Sequence, residues 1–433
     1  MPQYLALSLA AFSMALSAGT SLAQDSPFPA RTYERDGLTI TVGSPRMIMR
    51  GPMFPWAMLF DDGSIIVIAS SVEEGGAPAY IRSTDRGETW RPFLPPPGYC
   101  IPNVQLADGT SLNCSSAPPP IADRPGYYQT ARYESKDRGL SATFTSGTLY
   151  MPPEICSPEK VHQFHGNTIR TAGGNLLAVL QGMETEPAPG WPEGGQTPYK
   201  CYMVKSTDEG RSWNYIAHVA SLRDLEGETA AALKTGWRTW GACEAHITEL
   251  ADGRLVCVMR TLNDDLQPLI GEATDSYRDL FQTLRGADIY KGSLNLPDDT
   301  FYSLSPPTTP VLICYSDDGG NHWTKPAAMR EARGCMPQLA YDGRILALSS
   351  GALHYPRWGN GIVFSLDGGH SWTELINYAP YFTSGYGSLL SIAPGRFLAI
   401  FDYAAPQPWK DHTAHWVGAV EITVEHRKPS SGP

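Results

Sequence analysis

Short apolar runs, each closed by turn residues, organise this chain. Five runs open on a glycine turn: Asp62-Gly63-Ser-Ile-Ile-Val-Ile, Gly173-Gly174-Asn-Leu-Leu-Ala-Val-Leu, Asp252-Gly253-Arg-Leu-Val-Cys-Val-Met, Asp342-Gly343-Arg-Ile-Leu-Ala-Leu and Pro394-Gly395-Arg-Phe-Leu-Ala-Ile. Asp-Gly between apolar runs is a hairpin signal. A second set of strand-like runs alternates with these: Ala79-Tyr-Ile-Arg, Cys201-Tyr-Met-Val, Val311-Leu-Ile-Cys and Gly361-Ile-Val-Phe. Each leads into one pattern, S-x-D-x-G-x-x-W, at Ser83–Trp90, Ser206–Trp213, Ser316–Trp323 and Ser365–Trp372. The Asp side chain accepts backbone N–H bonds inside such a turn, Gly permits positive φ, and Trp returns apolar area to the sheet.

A repeat of this size predicts a propeller or a solenoid. One unit reads strand, glycine turn, strand, gap, strand, S-x-D-x-G turn, strand. The units fall near 45–92, 98–157, 160–222, 240–330, 333–378 and 384–424. The second carries no S-x-D-x-G-x-x-W match and is rich in proline. The fourth holds an insertion from Leu262 to Pro310, with a short helix expected at Asp275–Arg285. Closure of a ring is expected from Leu38-Thr-Ile-Thr-Val pairing with Ala419-Val-Glu-Ile-Thr-Val.

The S-x-D-x-G-x-x-W turn is the Asp-box of the sialidase-like β-propellers, and the chain resembles that superfamily. The resemblance implies an all-β fold, a six-bladed β-propeller over 31–424. It also makes the box aspartates turn residues rather than catalytic ones.

Composition narrows the partners. Lys and Arg number 33 against 44 Asp and Glu, a net charge of −11, so neither nucleic acid nor an anionic membrane is suggested. An acidic protein handling an anionic substrate needs a local arginine cluster. Leu5 to Leu16 is apolar, and Ser21-Leu-Ala23 offers small residues before Gln24. A secretory signal over 1–23 is therefore expected, with a secreted or periplasmic location, no later membrane span and a flexible tail over 425–433. The eight cysteines suit export without requiring disulfides. Cys100 and Cys114 form the best candidate pair, and Cys201, Cys257 and Cys314 lie in strand-like runs where buried thiols are expected. No metal-ligand spacing occurs and no cofactor is expected. Asn113-Cys-Ser115 fits a glycosylation sequon.

Three segments carry the resemblance to chemistry. Cys243-Glu244-Ala-His-Ile-Thr-Glu-Leu-Ala-Asp-Gly253 runs on to Arg260; Pro356-Arg357-Trp leads into the last box; Gly385-Tyr386-Gly leads through Gly395 to Tyr403. They fall on the fourth, fifth and sixth units, in the family's order. The resemblance implies Tyr386 as nucleophile, Glu244 as its base, and Arg260 and Arg357 as members of an arginine triad. Sialidases need such a triad because their substrate bears a carboxylate on the anomeric carbon. They use Tyr as nucleophile, an exception among glycosidases.

The first unit departs from the family. Its arginine is met nearest by Arg50-Gly51-Pro52, with Arg46 as competitor. Its acid/base aspartate is missing from the loop Ser70-Ser-Val-Glu73-Glu74, which offers Glu73 or Glu74 as the acid. Plain alternatives stand beside each residue: a structural ion pair for Glu244 and Arg260, a cation–π contact for Arg357 beside Trp358, strand packing for Tyr386, exposed loop glutamates for Glu73 and Glu74. Trp237, Arg238, Trp240, His162 and His165 are further candidates near the site.

The leading expectation is a retaining exo-glycosidase acting on a terminal sialic or related acidic sugar of a glycan. The alternatives are a hydrolase or lyase of the same fold acting on an arabinan or uronic-acid polymer, and a glycan-binding propeller without activity.

Overall fold

The computed structural model describes residues 29–70, 78–95, 102–114, 118–155, 163–183, 198–227, 241–261, 309–354, 358–403 and 415–426. The signal expected at 1–23, the tail beyond 426, Glu73, Glu74, Cys100, His162, Trp237, Arg238, Trp240, the 275–285 helix and Arg357 lie outside them.

The described residues form 26 β-strands and one short 3-10 turn. The strands make one six-stranded, one eight-stranded and three four-stranded sheets. Leu255–Arg260, which follows a turn glycine, is buried along its whole length, as an uninterrupted apolar run requires. Leu38–Val42 instead alternates buried and half-buried positions, the signature of a strand with one face on the core.

The eight-stranded sheet is two antiparallel runs of four. One comprises Val104–Gln105, Ser111–Cys114, Tyr127–Ser135 and Thr143–Tyr150; the other Gln163–Arg170, Leu176–Met183, Tyr199–Ser206 and Ser212–Ala220. Only a short parallel contact of Thr148–Tyr150 with Ser212–Asn214 joins them. The six-stranded sheet brings the chain ends together: Leu38–Val42 pairs antiparallel with Trp416–His426, Leu38 opposite His426 and Val42 opposite Ile422.

The first strands of successive runs are neighbours in space. Met53–Leu59 packs against Gly387–Ala393, which packs against Cys335–Tyr341; that strand packs against Cys243–Glu249, which packs against Gln163–Arg170. Apolar clusters fill the spaces between adjacent sheets. One joins Val67 and Ile81 to Leu398 and Val417; another joins Val179 and Met203 to Ile247 and Cys257.

The S-x-D-x-G turns are built alike. In Ser206–Trp213 the Ser206 hydroxyl donates to Asp208 Oδ1 at 2.8 Å and accepts the Gly210 amide at 2.8 Å. Asp208 also accepts the amide and hydroxyl of Ser212 at 2.8 and 2.6 Å. A fifth turn of the same build occurs at Ser135–Ser141, with Asp137 accepting from Ser135 at 2.8 Å and Ser141 at 2.8 and 2.6 Å. This corrects the expectation that the second unit has none. The tryptophans are less uniform than expected: Trp213 is buried, whereas Trp90, Trp323 and Trp372 are half-buried against their cores.

These hydrogen bonds set the charge state of the turns. In Asp367 burial pushes the carboxyl up, but Ser371 and Ser365 outweigh it and hold the group down to about 2. Asp208 is lowered by the same balance of burial against Ser212 and Ser206. Asp208→Ala is expected to lower stability by about 1–3 kcal/mol, since donors in the turn lose their acceptor. A folded pKa below the unfolded one means stability that is present above the unfolded value and lost as pH falls through the folded one. Urea titrations of wild type and variant should therefore differ at neutral pH and converge in acid.

Candidate functional site

Several of the first strands carry the same irregularity near their start. The register slips between Met53 and Trp56, between Cys243 and His246, and between Cys335 and Gln338. Within these bulges Phe54, Glu244 and Met336 adopt positive φ of 58°, 46° and 41°. A bulge re-aims the side chain it carries, and these all lie near the starts of first strands that neighbour one another.

A cavity of about 180 Å³ is lined by Trp56, Asn103, Asn167, His246, Gln338 and Ser388. Side chains from one first strand hold the next: Asn167 Oδ1 accepts the Ile247 amide at 2.8 Å, His246 Nδ1 the Leu339 amide at 3.2 Å, and Ser388 Oγ the Ala57 amide at 2.9 Å. Burial depresses His246 to about 3, so it is a neutral acceptor.

Glu244, Arg260 and Tyr386 meet one another. Glu244 sits on its bulge with its amide held by Gln181 Oε1 at 3.0 Å. Arg260 ends the adjacent strand, opposite Cys243. Its Nη1 donates to Glu244 Oε2 at 2.6 Å and lies 3.4 Å from the Tyr386 hydroxyl. The Tyr386 hydroxyl donates to the other carboxylate oxygen, Glu244 Oε1. Arg260 and Glu244 are 0% and 3% exposed; Tyr386 is half-buried.

Tyr386 is presented by a tight turn. Gly385 has φ of 85°, and a Cβ there would stand 2.5 Å from that of Cys335, so only glycine fits. Tyr386 packs against the cluster of Cys335, Met336 and Ala352, as does Trp56. Phe54 meets it edge-on, ring centroids 5.3 Å apart at 84°.

The electrostatics follow from this arrangement. Burial pushes the Tyr386 phenol up from its ordinary value, the Glu244 carboxylate adds to the rise, and Arg260 opposes it. The resting phenol is neutral and aimed at a carboxylate whose far oxygen is paired with a guanidinium. Such a group can act as a neutral nucleophile, giving its proton to Glu244 as its oxygen forms a bond.

Of the sequence-predicted residues, the structure thus joins Tyr386, Glu244 and Arg260. It does not join Arg50, which ends the strand Arg46–Arg50, pairs there with Trp416, and is exposed without a hydrogen bond to any of the three. Arg46 binds the first S-x-D-x-G turn, donating to the carbonyls of Gly87 and Glu88 at 2.9 and 3.0 Å. The sequence reading missed Phe54, Gln181 and Asp402. Gln181, Arg260 and Asp402 stand at the same offset after the turn glycines Gly174, Gly253 and Gly395, a signal the repeat itself carried.

No protein-family model and no curated protein sequence matches the chain. Solved structures are similar to it in fold. A protein of unknown function from Dyadobacter fermentans is 17% identical, with a TM-score of 0.58 over 90% of this chain and 100% of that one. A Hadza microbial sialidase is 16% identical, with a TM-score of 0.54 over 88% and 68%. An α-L-arabinofuranosidase from Fusarium graminearum, solved with an iminosugar inhibitor, is 13% identical, with a TM-score of 0.50 over 88% and 98%. At these identities the likeness is one of fold, and the site has to carry any functional argument.

Proposed function

We propose that the chain is an exported, retaining exo-glycosidase on a six-bladed β-propeller with Asp-box turns. Its substrate in this reading is a glycan ending in a sialic or related acidic sugar. The observation that carries the reading is the mutual contact of Tyr386, Glu244 and Arg260. The five four-strand runs, the six-stranded sheet and the cavity lining drawn from all of them support the propeller. The sialidase and arabinofuranosidase of the same fold support glycoside hydrolysis.

In this mechanism Tyr386 attacks the anomeric carbon while Glu244 takes the phenolic proton. The bond to the aglycone breaks, and a separate acid protonates the leaving oxygen. Glu73 and Glu74 are the candidates for that acid. Water then displaces Tyr386 from the sugar, delivering one proton to the acid/base residue, and Glu244 returns its proton to the phenol. Two displacements at one carbon give retention. Arg260, Arg357 and Arg50 form the clamp for a substrate carboxylate in this reading.

One observation favours a second reading. Arg260 is wholly buried and bonded to Glu244, and Arg50 is exposed at the end of its strand, which suits a sugar without an anomeric carboxylate, such as an arabinofuranoside. Aryl glycosides separate the two: α-sialosides, α-L-arabinofuranosides and uronides are offered side by side. Release from the sialoside alone, with covalent labelling of Tyr386 by a 3-fluorosialosyl fluoride, is the expected result. Release from the arabinofuranoside alone would transfer the assignment to the second reading, and release from none would remove both.

A further inference from the structure

Phe54 is strained. A φ of 58° is a genuine outlier for a bulky aromatic residue, and such strain persists only where the surroundings over-determine it. The group that holds it is Asp402, on the last sheet. Asp402 is 0% exposed. Its Oδ2 accepts the Phe54 amide at 2.8 Å and the Ser384 hydroxyl. Its Oδ1 accepts the Ser384 amide at 2.8 Å and the Thr383 hydroxyl at 2.9 Å.

Thr383 and Ser384 lead directly into the turn that presents Tyr386. Thr383 Oγ1 accepts the Gly385 amide at 2.9 Å, and Ser384 Oγ accepts the Tyr386 amide at 3.2 Å. One carboxylate thus grips two separate pieces of the site across the seam between the last and first sheets. The equivalent residue Gln181 does the same with an amide oxygen, holding the left-handed Glu244 from the preceding sheet. A buried carboxylate is a costlier acceptor than an amide and persists only when its hydrogen bonds are made. It also accepts from more donors at once: the four donors here exceed what one amide oxygen can serve.

We propose that Asp402 is a positioning residue: it locks the Tyr386 turn to the Phe54 bulge, so that the Phe54 ring stands fixed as a wall beside the Tyr386 hydroxyl. The inference rests on the reading of Tyr386 as the reacting group. Asp402 touches no reacting atom and acts through these two residues.

Asp402→Asn tests it, because it keeps the size while leaving donors without an acceptor. Two measurements are made on the full chain: amide hydrogen exchange, and hydrolysis of the aryl glycoside that wild type accepts, with Phe54→Ala and the double variant alongside. Exchange over 53–56 is expected to quicken roughly tenfold or more, the size of a lost charge-assisted bond, with 255–260 unchanged. Turnover should fall by a similar factor with KM little altered, and the double variant should be no slower than the worse single one. Unchanged exchange at 53–56, a uniform quickening along the chain, or losses that multiply in the double variant would overturn the proposal. If wild type hydrolyses no glycoside, the proposed function falls, and exchange alone decides whether Asp402 is the lock. Where Asp402→Asn does not fold, Ser384→Ala removes a single donor and the same exchange comparison applies.

Discussion

Tyr386→Phe is expected to lose glycoside hydrolysis by on the order of 10³-fold or more, since both the nucleophile and its proton transfer disappear together. The fold should hold. The change deletes one hydroxyl from a half-buried ring, and the packing against Cys335, Met336 and Ala352 remains. Glu244 keeps Arg260 as partner, so the lost bond should lower stability by only about 1–2 kcal/mol. Glu244→Gln is expected to resemble it in turnover, because the same oxygen then lacks a base. Steady-state rates with a good leaving group, measured beside the melting temperature, separate the two effects. Near wild-type rates in a folded Tyr386→Phe protein would remove Tyr386 from the mechanism and leave its contact with Glu244 as a structural one.

The turn chemistry made much of the fold legible. Gly63, Gly174, Gly253, Gly343 and Gly395 each open a strand in the structure, because a left-handed turn residue is a local requirement that the sequence states directly. The contact among Glu244, Arg260 and Tyr386 was legible only through the family's order of segments, since nothing local links residues 244 and 386. The Ser135–Ser141 turn was hidden because Ala142 stands where the other turns carry Trp; its hydrogen bonds need only Ser, Asp, Gly and Ser. Arg50-Gly51-Pro52 resembles the expected motif, and in the structure Arg50 ends the strand Arg46–Arg50, paired there with Trp416. Asp402 was marked only by its offset after Gly395, and Phe54 was invisible because its meaning lies in a contact between the first and last sheets. A Phe at positive φ cannot be inferred from its residue type, which disfavours that conformation.

The ion pair of Arg260 and Glu244 leads to the second large effect. Both side chains are almost fully withdrawn from water, 1% and 4% exposed. Taking two charges into the interior is costly, and their attraction offsets that cost only while both are present. Arg260→Met removes the guanidinium, keeps much of the volume, and strands the carboxylate. The expected loss of stability is about 3–5 kcal/mol, larger than for any turn aspartate. The pH dependence distinguishes this from lost packing. Burial without a cation favours the protonated acid, so the deficit relative to wild type should shrink as pH falls and Glu244 takes a proton. Activity should be lost as well, because a protonated Glu244 cannot accept from Tyr386. Adding Glu244→Gln should recover much of the stability, since no uncompensated charge remains, yet restore no turnover. Chemical denaturation of the single and double variants at neutral and acidic pH measures each part. A single variant as stable as wild type at neutral pH would mean that Glu244 is already neutral in the resting protein. The proton from Tyr386 would then have to go elsewhere.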